Sequence, residues 1–142
     1  MIRQAVRADV PALVRMARDF HAASPMKGFP FSVERAAASA CGAIDMPGYL
    51  ALVLDANGIH GAILGSVRQY PMADVVTAHE DVFWIDPEHR GRWALKMIRA
   101  FEKWAADQGA TVIGMSCPAG TAESLYRRAG FSLIETMFAK GL

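Results

Sequence analysis

The chain predicts an α/β domain built on one sheet of mixed strand direction, and three observations carry that prediction. Runs rich in Val, Ile, Leu and aromatic residues alternate with runs of helical spacing in the order strand, two helices, three strands, helix, strand, helix, strand. Consecutive strands joined by the Asp55-Ala56-Asn57-Gly58 turn imply antiparallel pairing, whereas the strand, helix, strand unit over residues 75–117 implies a parallel pair. No linker, internal repeat or low-complexity stretch divides the 142 residues, a length that suits one core, so residues 1–142 are read as a single domain.

Each element has a local reason. Ile2 to Val6 alternates as a short strand, and Asp9 is the expected N-cap of a helix with Pro11 in its first turn. Val10, Leu13, Val14, Ala17 and Phe20 give that helix an apolar face, with Arg15, Arg18 and Asp19 opposite. The stretch from Ser24 to Phe31, with Pro25, Gly28 and Pro30, breaks it; Met26, Phe29 and Phe31 there either pack on the core or line a substrate wall. Ser32 caps an Ala-rich second helix to about Ala43. Tyr49 to Leu54 and Ile59 to Val67 form a hairpin, Gln69 to Asp74 a loop, and Val75 to Ile85 a longer strand ended by Pro87. A helix runs from Arg92 to Gly109, then a strand from Thr111 to Cys117. Thr121 caps a short helix ending at Gly130, and Phe131 to Phe138 returns to extended structure.

Composition narrows the function classes. Hydrophobic residues make up 53% of the chain and charged residues 20%, with a formal net charge of +1. That balance suits a folded globular protein and argues against a broad nucleic-acid footprint; binding nucleic acid through Arg90, Arg92, Lys96 and Arg99 is disfavoured for the same reason. The chain has no apolar run long enough to span a membrane, and Met1 to Arg7 lacks the apolar core of a signal peptide, so a cytoplasmic protein without membrane partners is expected. Cys41 and Cys117 lie far apart and match no metal spacing, which predicts two reduced, largely buried thiols and no metal site.

The segment from Phe83 to Trp104 is the most informative. A strand end, Pro87, the basic loop around Gly91 and an amphipathic helix follow one another. The helix start leaves backbone N–H groups without partners beside Arg90 and Arg92, which favours a bound phosphate. Ala94, Met97, Ile98, Phe101, Trp104 and Ala105 form the apolar face of the helix.

Three motifs, with the order of elements, resemble the GNAT superfamily of acyl-CoA-dependent N-acetyltransferases over nearly the whole chain. They are Ile85-Asp86-Pro87-Glu88-His89-Arg90-Gly91-Arg92, Leu125-Tyr126-Arg127-Arg128-Ala129-Gly130-Phe131, and the apolar strand Ala78 to Trp84 with its acidic Glu80 and Asp81. The resemblance implies a mixed, mostly antiparallel sheet of six or seven strands flanked by about four helices. It also implies acetyl-CoA as co-substrate and transfer of an acetyl group to an amine by direct attack. By the same resemblance, the pyrophosphate lies in the cradle Arg90, Gly91, Arg92, Trp93, Ala94 and Leu95, and the pantetheine arm runs along backbone groups of Phe83, Trp84 and Ile85. In place of the family's two small cradle residues this chain has Trp93 and Leu95, which either point away and leave the N–H groups free or obstruct the site. Obstruction would leave a binding or regulatory module of the same fold.

Tyr126 matches the family's general acid, able to protonate a departing thiolate; the alternative is a Tyr packed at a helix–sheet junction. Glu80 is the expected base, since alternation places it with Val76, Ala78, Val82 and Trp84 on one apolar face; a bulge would change that face and bring His79 or Asp81 inward. Ser116-Cys117 is read as structural, because no His nearby in sequence supports a nucleophile. The acceptor, a small-molecule or protein amine, has no signature. Only Phe131 to Leu142 remain where the family often has a final hairpin, so either one strand replaces two or a second copy completes the edge of a homodimer.

Overall fold

The computed structural model describes all residues, 1–142. Its elements are β1 (Ile2–Gln4), a 3-10 turn (Arg7–Asp9), α1 (Val10–Ala23), α2 (Val33–Asp45), β2 (Tyr49–Asp55), β3 (Ile59–Gln69), β4 (Val76–Ile85), a second 3-10 turn (Pro87–His89), α3 (Arg92–Asp107), β5 (Ala110–Gly114) and α4 (Glu123–Arg128). The strands form one sheet in the order β1-β2-β3-β4-β5, antiparallel except for the parallel β4–β5 pair. The β2–β3 and β3–β4 loops give antiparallel neighbours and the α3 crossover a parallel one, while β1 pairs antiparallel with β2 across the connection that holds α1 and α2.

β2 shows why the sheet has helices on both faces. Its run Leu50-Ala51-Leu52-Val53-Leu54 is buried throughout, which only a strand covered on both sides requires. Leu50, Leu52 and Leu54 join Ile63, Ala78 and Ile85 beneath Met97 and Phe101 of α3. Ala51 and Val53 face the other way, with Ala62, onto Leu13 and Met16 of α1 and Ala40 and Ala43 of α2. The turn between β2 and β3 uses Asn57 (φ 60) and Gly58 (φ 128), left-handed conformations that these residues tolerate. Gly65 meets a different demand: a Cβ there would lie 2.7 Å from the His79 carbonyl oxygen and 2.8 Å from the Phe101 ring.

β4 is not one regular strand. Leu64 pairs with Val82 and Gly65 with Glu80, so Asp81 is an extra residue that bulges out of the ladder. Its pairing with β5 covers only Val76 to His79 against Ala110 to Gly114, and beyond that the two strands part.

Five expectations need correction. The sheet has five strands, not six or seven. Phe131 to Phe138 forms no strand; Leu133, Ile134, Met137 and Phe138 are exposed, because a lone segment without a pairing neighbour gains no ladder bonds. β5 stops at Gly114 rather than Cys117, since the Ser116 peptide bonds to side chains instead of to a strand. At the helix starts, Ser32 accepts from the Arg35 N–H at 3.2 Å as expected, whereas Asp9 accepts from the Val6 N–H at 2.8 Å and leaves α1 uncapped. Thr121 donates to the Pro118 carbonyl at 2.6 Å rather than capping α4. No helix is long and apolar enough to cross a membrane.

Candidate active site

The opening between β4 and the residues after β5 is where the chemistry-bearing side chains gather, and the Ser116 peptide is their meeting point. Glu80 Oε2 accepts from the Ser116 N–H at 3.1 Å and from its Oγ at 3.4 Å. The Tyr126 hydroxyl donates to the Ser116 carbonyl oxygen at 3.1 Å. The backbone of one residue, through the two peptide groups that flank its Cα, therefore holds both residues that the sequence singles out for proton transfer. Glu80 is 8% exposed and Tyr126 9%. Burial pushes the Glu80 carboxyl up to about 7, with the neighbouring Asp81 charge adding to the rise and the Ser116 bonds opposing it. Burial, then the charges of Glu80 and Cys117, push the Tyr126 hydroxyl above its ordinary value. Cys41 and Cys117 are free and only half-buried.

Glu80 does face inward, in different company from that expected. It pairs with Gly65, whose face looks onto Phe101, so Glu80 lies on the α3 side with Ala78. The bulge at Asp81 then reverses the order: Phe83 and Ile85 pack on the α3 side, while Val82 and Trp84 turn towards α1 and α2. Asp81 is exposed, and half-buried His79 bonds Thr77 Oγ1 at 3.0 Å through Nε2. Burial and the nearby Arg68 charge hold the His79 imidazole below its usual range.

The backbone of this half-strand divides in the same way. The Asp86 N–H donates to the His60 carbonyl at 2.8 Å, so Trp84 also directs its backbone groups to β3, and only Phe83 and Ile85 direct theirs into the opening. The Ile85 carbonyl already accepts from Arg90 Nε at 3.0 Å. Arg90 therefore folds back along the strand, its guanidinium 5.1 Å from the Trp84 ring centre.

At the cradle, Gly91 (φ 88) makes the turn into α3 and carries no side chain that could cap it. No atom lies within 4 Å of where a Cβ at Gly91 would be, so its backbone angle, not crowding, calls for glycine. The Arg92 and Trp93 N–H groups are in the first helical turn, where no intrahelical acceptor exists. Trp93 is half-buried against the α3-side core, with Arg92 and Lys96 placed 5.5 and 4.7 Å from its ring centre. Ala94 is buried and Leu95 half-buried. The donor set of a 16-residue helix start, a glycine turn and two arginines fits a pyrophosphate.

Sequence reasoning set Ser116 aside as structural without its anchoring of Glu80 and Tyr126, which is mainly through its backbone, and missed the group around Asp86. Asp86 is 7% exposed and accepts from Arg15 Nη1 and Nη2 (3.1 and 3.0 Å), His60 Nδ1 (3.1 Å) and Trp84 Nε1 (3.1 Å). Burial alone would raise its carboxyl; those donors outweigh burial and hold it below the usual range. The His60 ring stacks on His89 at 4.1 Å. This knot fastens α1 and β3 to the residue that leads into the cradle. The Ile85-Asp86-Pro87 motif marks the position but not its partners. No cluster of His, Cys, Asp and Glu is arranged to hold a metal ion.

Comparison with known proteins follows the same lines. The family model described as "Acetyltransferase (GNAT) family" matches residues 14–131. Among solved structures, the tetramutant of the BH1408 protein from Bacillus halodurans has a TM-score of 0.81 at 16% identity, covering 100% of this chain and 99% of that one. An aminoglycoside acetyltransferase from an uncultured soil metagenomic sample, in complex with sisomicin, has a TM-score of 0.76 at 18% identity, with coverage of 100% and 95%. A ribosomal-protein-alanine N-acetyltransferase from Brucella melitensis biovar Abortus 2308 has a TM-score of 0.74 at 13% identity, with coverage of 100% and 99%. No curated protein sequence matches. The chain belongs to the GNAT acetyltransferase family.

Proposed function

From membership of that family we propose that this chain is an N-acetyltransferase that moves an acetyl group from acetyl-CoA to an amine by direct attack. The observation that carries the proposal is the convergence of Glu80 and Tyr126 on the Ser116 peptide where β4 and β5 part. Bound acetyl-CoA supplies a thioester; the rest is done by the chain. The N–H groups at the start of α3, with Arg90 and Arg92, hold the pyrophosphate, and backbone groups of Phe83 and Ile85 align the pantetheine arm. Glu80, its carboxyl pushed up to about 7 by burial, takes the proton of the incoming ammonium at Oε1 or through water. Tyr126, still protonated, gives its hydroxyl proton to the departing sulfur after leaving the Ser116 carbonyl.

One observation favours the alternative of a binding module. Arg90 occupies the Ile85 carbonyl, which the pantetheine arm would otherwise use. Titration of the protein with acetyl-CoA by calorimetry, followed by thioester consumption across a panel of primary amines, separates the two. Binding with turnover supports the enzyme, and binding without any turnover supports the module. No binding at millimolar acetyl-CoA sinks the acetyl-CoA reading.

A further inference from the structure

Arg90 stands immediately before the glycine turn into α3, yet its side chain runs back along β4. Its Nε–H donates to the Ile85 carbonyl at 3.0 Å, and its guanidinium lies 5.1 Å from the Trp84 ring centre. The contact is easily exchanged. Arg3, Arg7 and Arg15 are each paired with a carboxylate, whereas Arg90 is in no ion pair and its two terminal NH2 groups have no acceptor in the chain. The side chain is exposed, and its charge sits beside the positive end of the α3 helix dipole. No atom lies within 4 Å of where a Cβ at Gly91 would be, so the space beside the turn is free.

The carbonyl that Arg90 covers belongs to the site. Phe83 and Ile85 direct their backbone groups into the opening beside β4, and Arg90 takes the Ile85 carbonyl of that set. A diphosphate offers a guanidinium two parallel charge-assisted bonds where the carbonyl offers one neutral acceptor. The same anion meets the N–H groups at the start of α3. Exchange from carbonyl to anion is therefore favourable once the cradle is filled.

We infer that Arg90 couples the two halves of the cofactor site: it covers the Ile85 carbonyl while the cradle is empty and uncovers it by moving onto the diphosphate. The inference rests on the acetyl-CoA reading and gives Arg90 a positioning role in it. A pantetheine arm by itself meets a carbonyl that is open only part of the time, and its affinity is lowered by that fraction. One surface hydrogen bond with a ring contact sets the fraction at about one tenth. By linkage, each half of the cofactor then tightens the other about tenfold.

The test cuts the cofactor in two. ADP, which carries the diphosphate, and pantetheine, which carries the arm, are titrated separately and together into the full chain, with the Arg90 Nε–H and Ile85 carbonyl-carbon signals followed by NMR. ADP is expected to move both signals and adenosine neither, and saturating ADP should tighten pantetheine about tenfold. In Arg90→Ala, ADP should bind more weakly, while pantetheine should bind about tenfold more tightly than in the unsubstituted chain and gain nothing further from ADP. A residue that only supported the fold would weaken both ligands when removed. ADP binding that leaves the two signals in place overturns the inference, as does acetyl-CoA binding without ADP binding. Pantetheine binding that ADP does not tighten, undetectable binding under both conditions included, overturns it too. Failure of acetyl-CoA itself to bind at millimolar concentration overturns the acetyl-CoA reading instead.

Discussion

Replacing Glu80 with Gln is expected to make the protein more stable and less active at once. Burial raises this carboxyl from 4.5 to about 7, so the folded chain binds the proton more tightly than the unfolded chain does. The stability gained from the neutral form is fully present below pH 4.5 and is lost as pH rises through about 7. That gap corresponds to about 3 kcal/mol at pH 8, the cost of keeping a buried carboxylate charged. Gln is neutral at every pH and its carbonyl still accepts from the Ser116 N–H. Glu80→Gln should therefore match the parent protein near pH 4.5 and exceed it at pH 8 by about 3 kcal/mol, or on the order of 10 °C in Tm. Urea denaturation at both pH values measures this. The proposed base would be gone, so kcat/KM should fall by about 100-fold or more and lose its rise around pH 7. Equal stability gaps at pH 4.5 and pH 8 would refute the burial argument, and a surviving acid limb would refute the assignment of the base.

Tyr126→Phe removes one hydrogen bond to the Ser116 carbonyl and should cost about 1 kcal/mol in urea denaturation while lowering kcat more than it changes KM for the amine. Gly65→Ala places a Cβ within 2.8 Å of both the His79 carbonyl and the Phe101 ring, and a loss of about 1–3 kcal/mol is expected by thermal melts. Gly91→Ala meets no atom but demands φ near 88 from a residue with a Cβ. It should cost about 1–2 kcal/mol of stability and weaken acetyl-CoA binding measured by calorimetry. Asp86→Asn keeps the shape of the knot and removes its charge; weaker acetyl-CoA binding with unaltered acceptor KM is expected if the knot fixes the cradle.

What could be read in advance was whatever depends on neighbours in sequence. The Asn57-Gly58 turn, the apolar stripe of α3 and the Ser32 cap each arise within a few residues, and each is present. The motifs around Arg90 and Tyr126 were visible for the same reason. Features that depend on distant partners were not. Asp86 meets Arg15 and His60 from 71 and 26 residues away, and nothing near Asp86 announces them. Ser116 works through its peptide group, which every residue type carries. The last strand failed because Phe131 to Phe138 has strand-like composition but no neighbour to pair with. Glu80 was placed correctly as buried and incorrectly beside Val82 and Trp84, since the Asp81 bulge leaves no mark in composition.

That bulge also sets what changes of length the chain can tolerate. In a regular strand, which face a residue occupies follows from counting by twos, and Asp81 breaks the count once. Deleting this exposed residue would make Glu80 and Val82 neighbours opposite Gly65 and Leu64, a regular ladder in which Phe83 and Ile85 still face α3 while Val82 and Trp84 still face α1 and α2. The faces would be kept, and only the local kink beside the parting of β4 from β5 would be lost. Substitution and deletion at Asp81 should therefore both leave the core intact, so a family alignment should show position 81 varying in residue type and in presence.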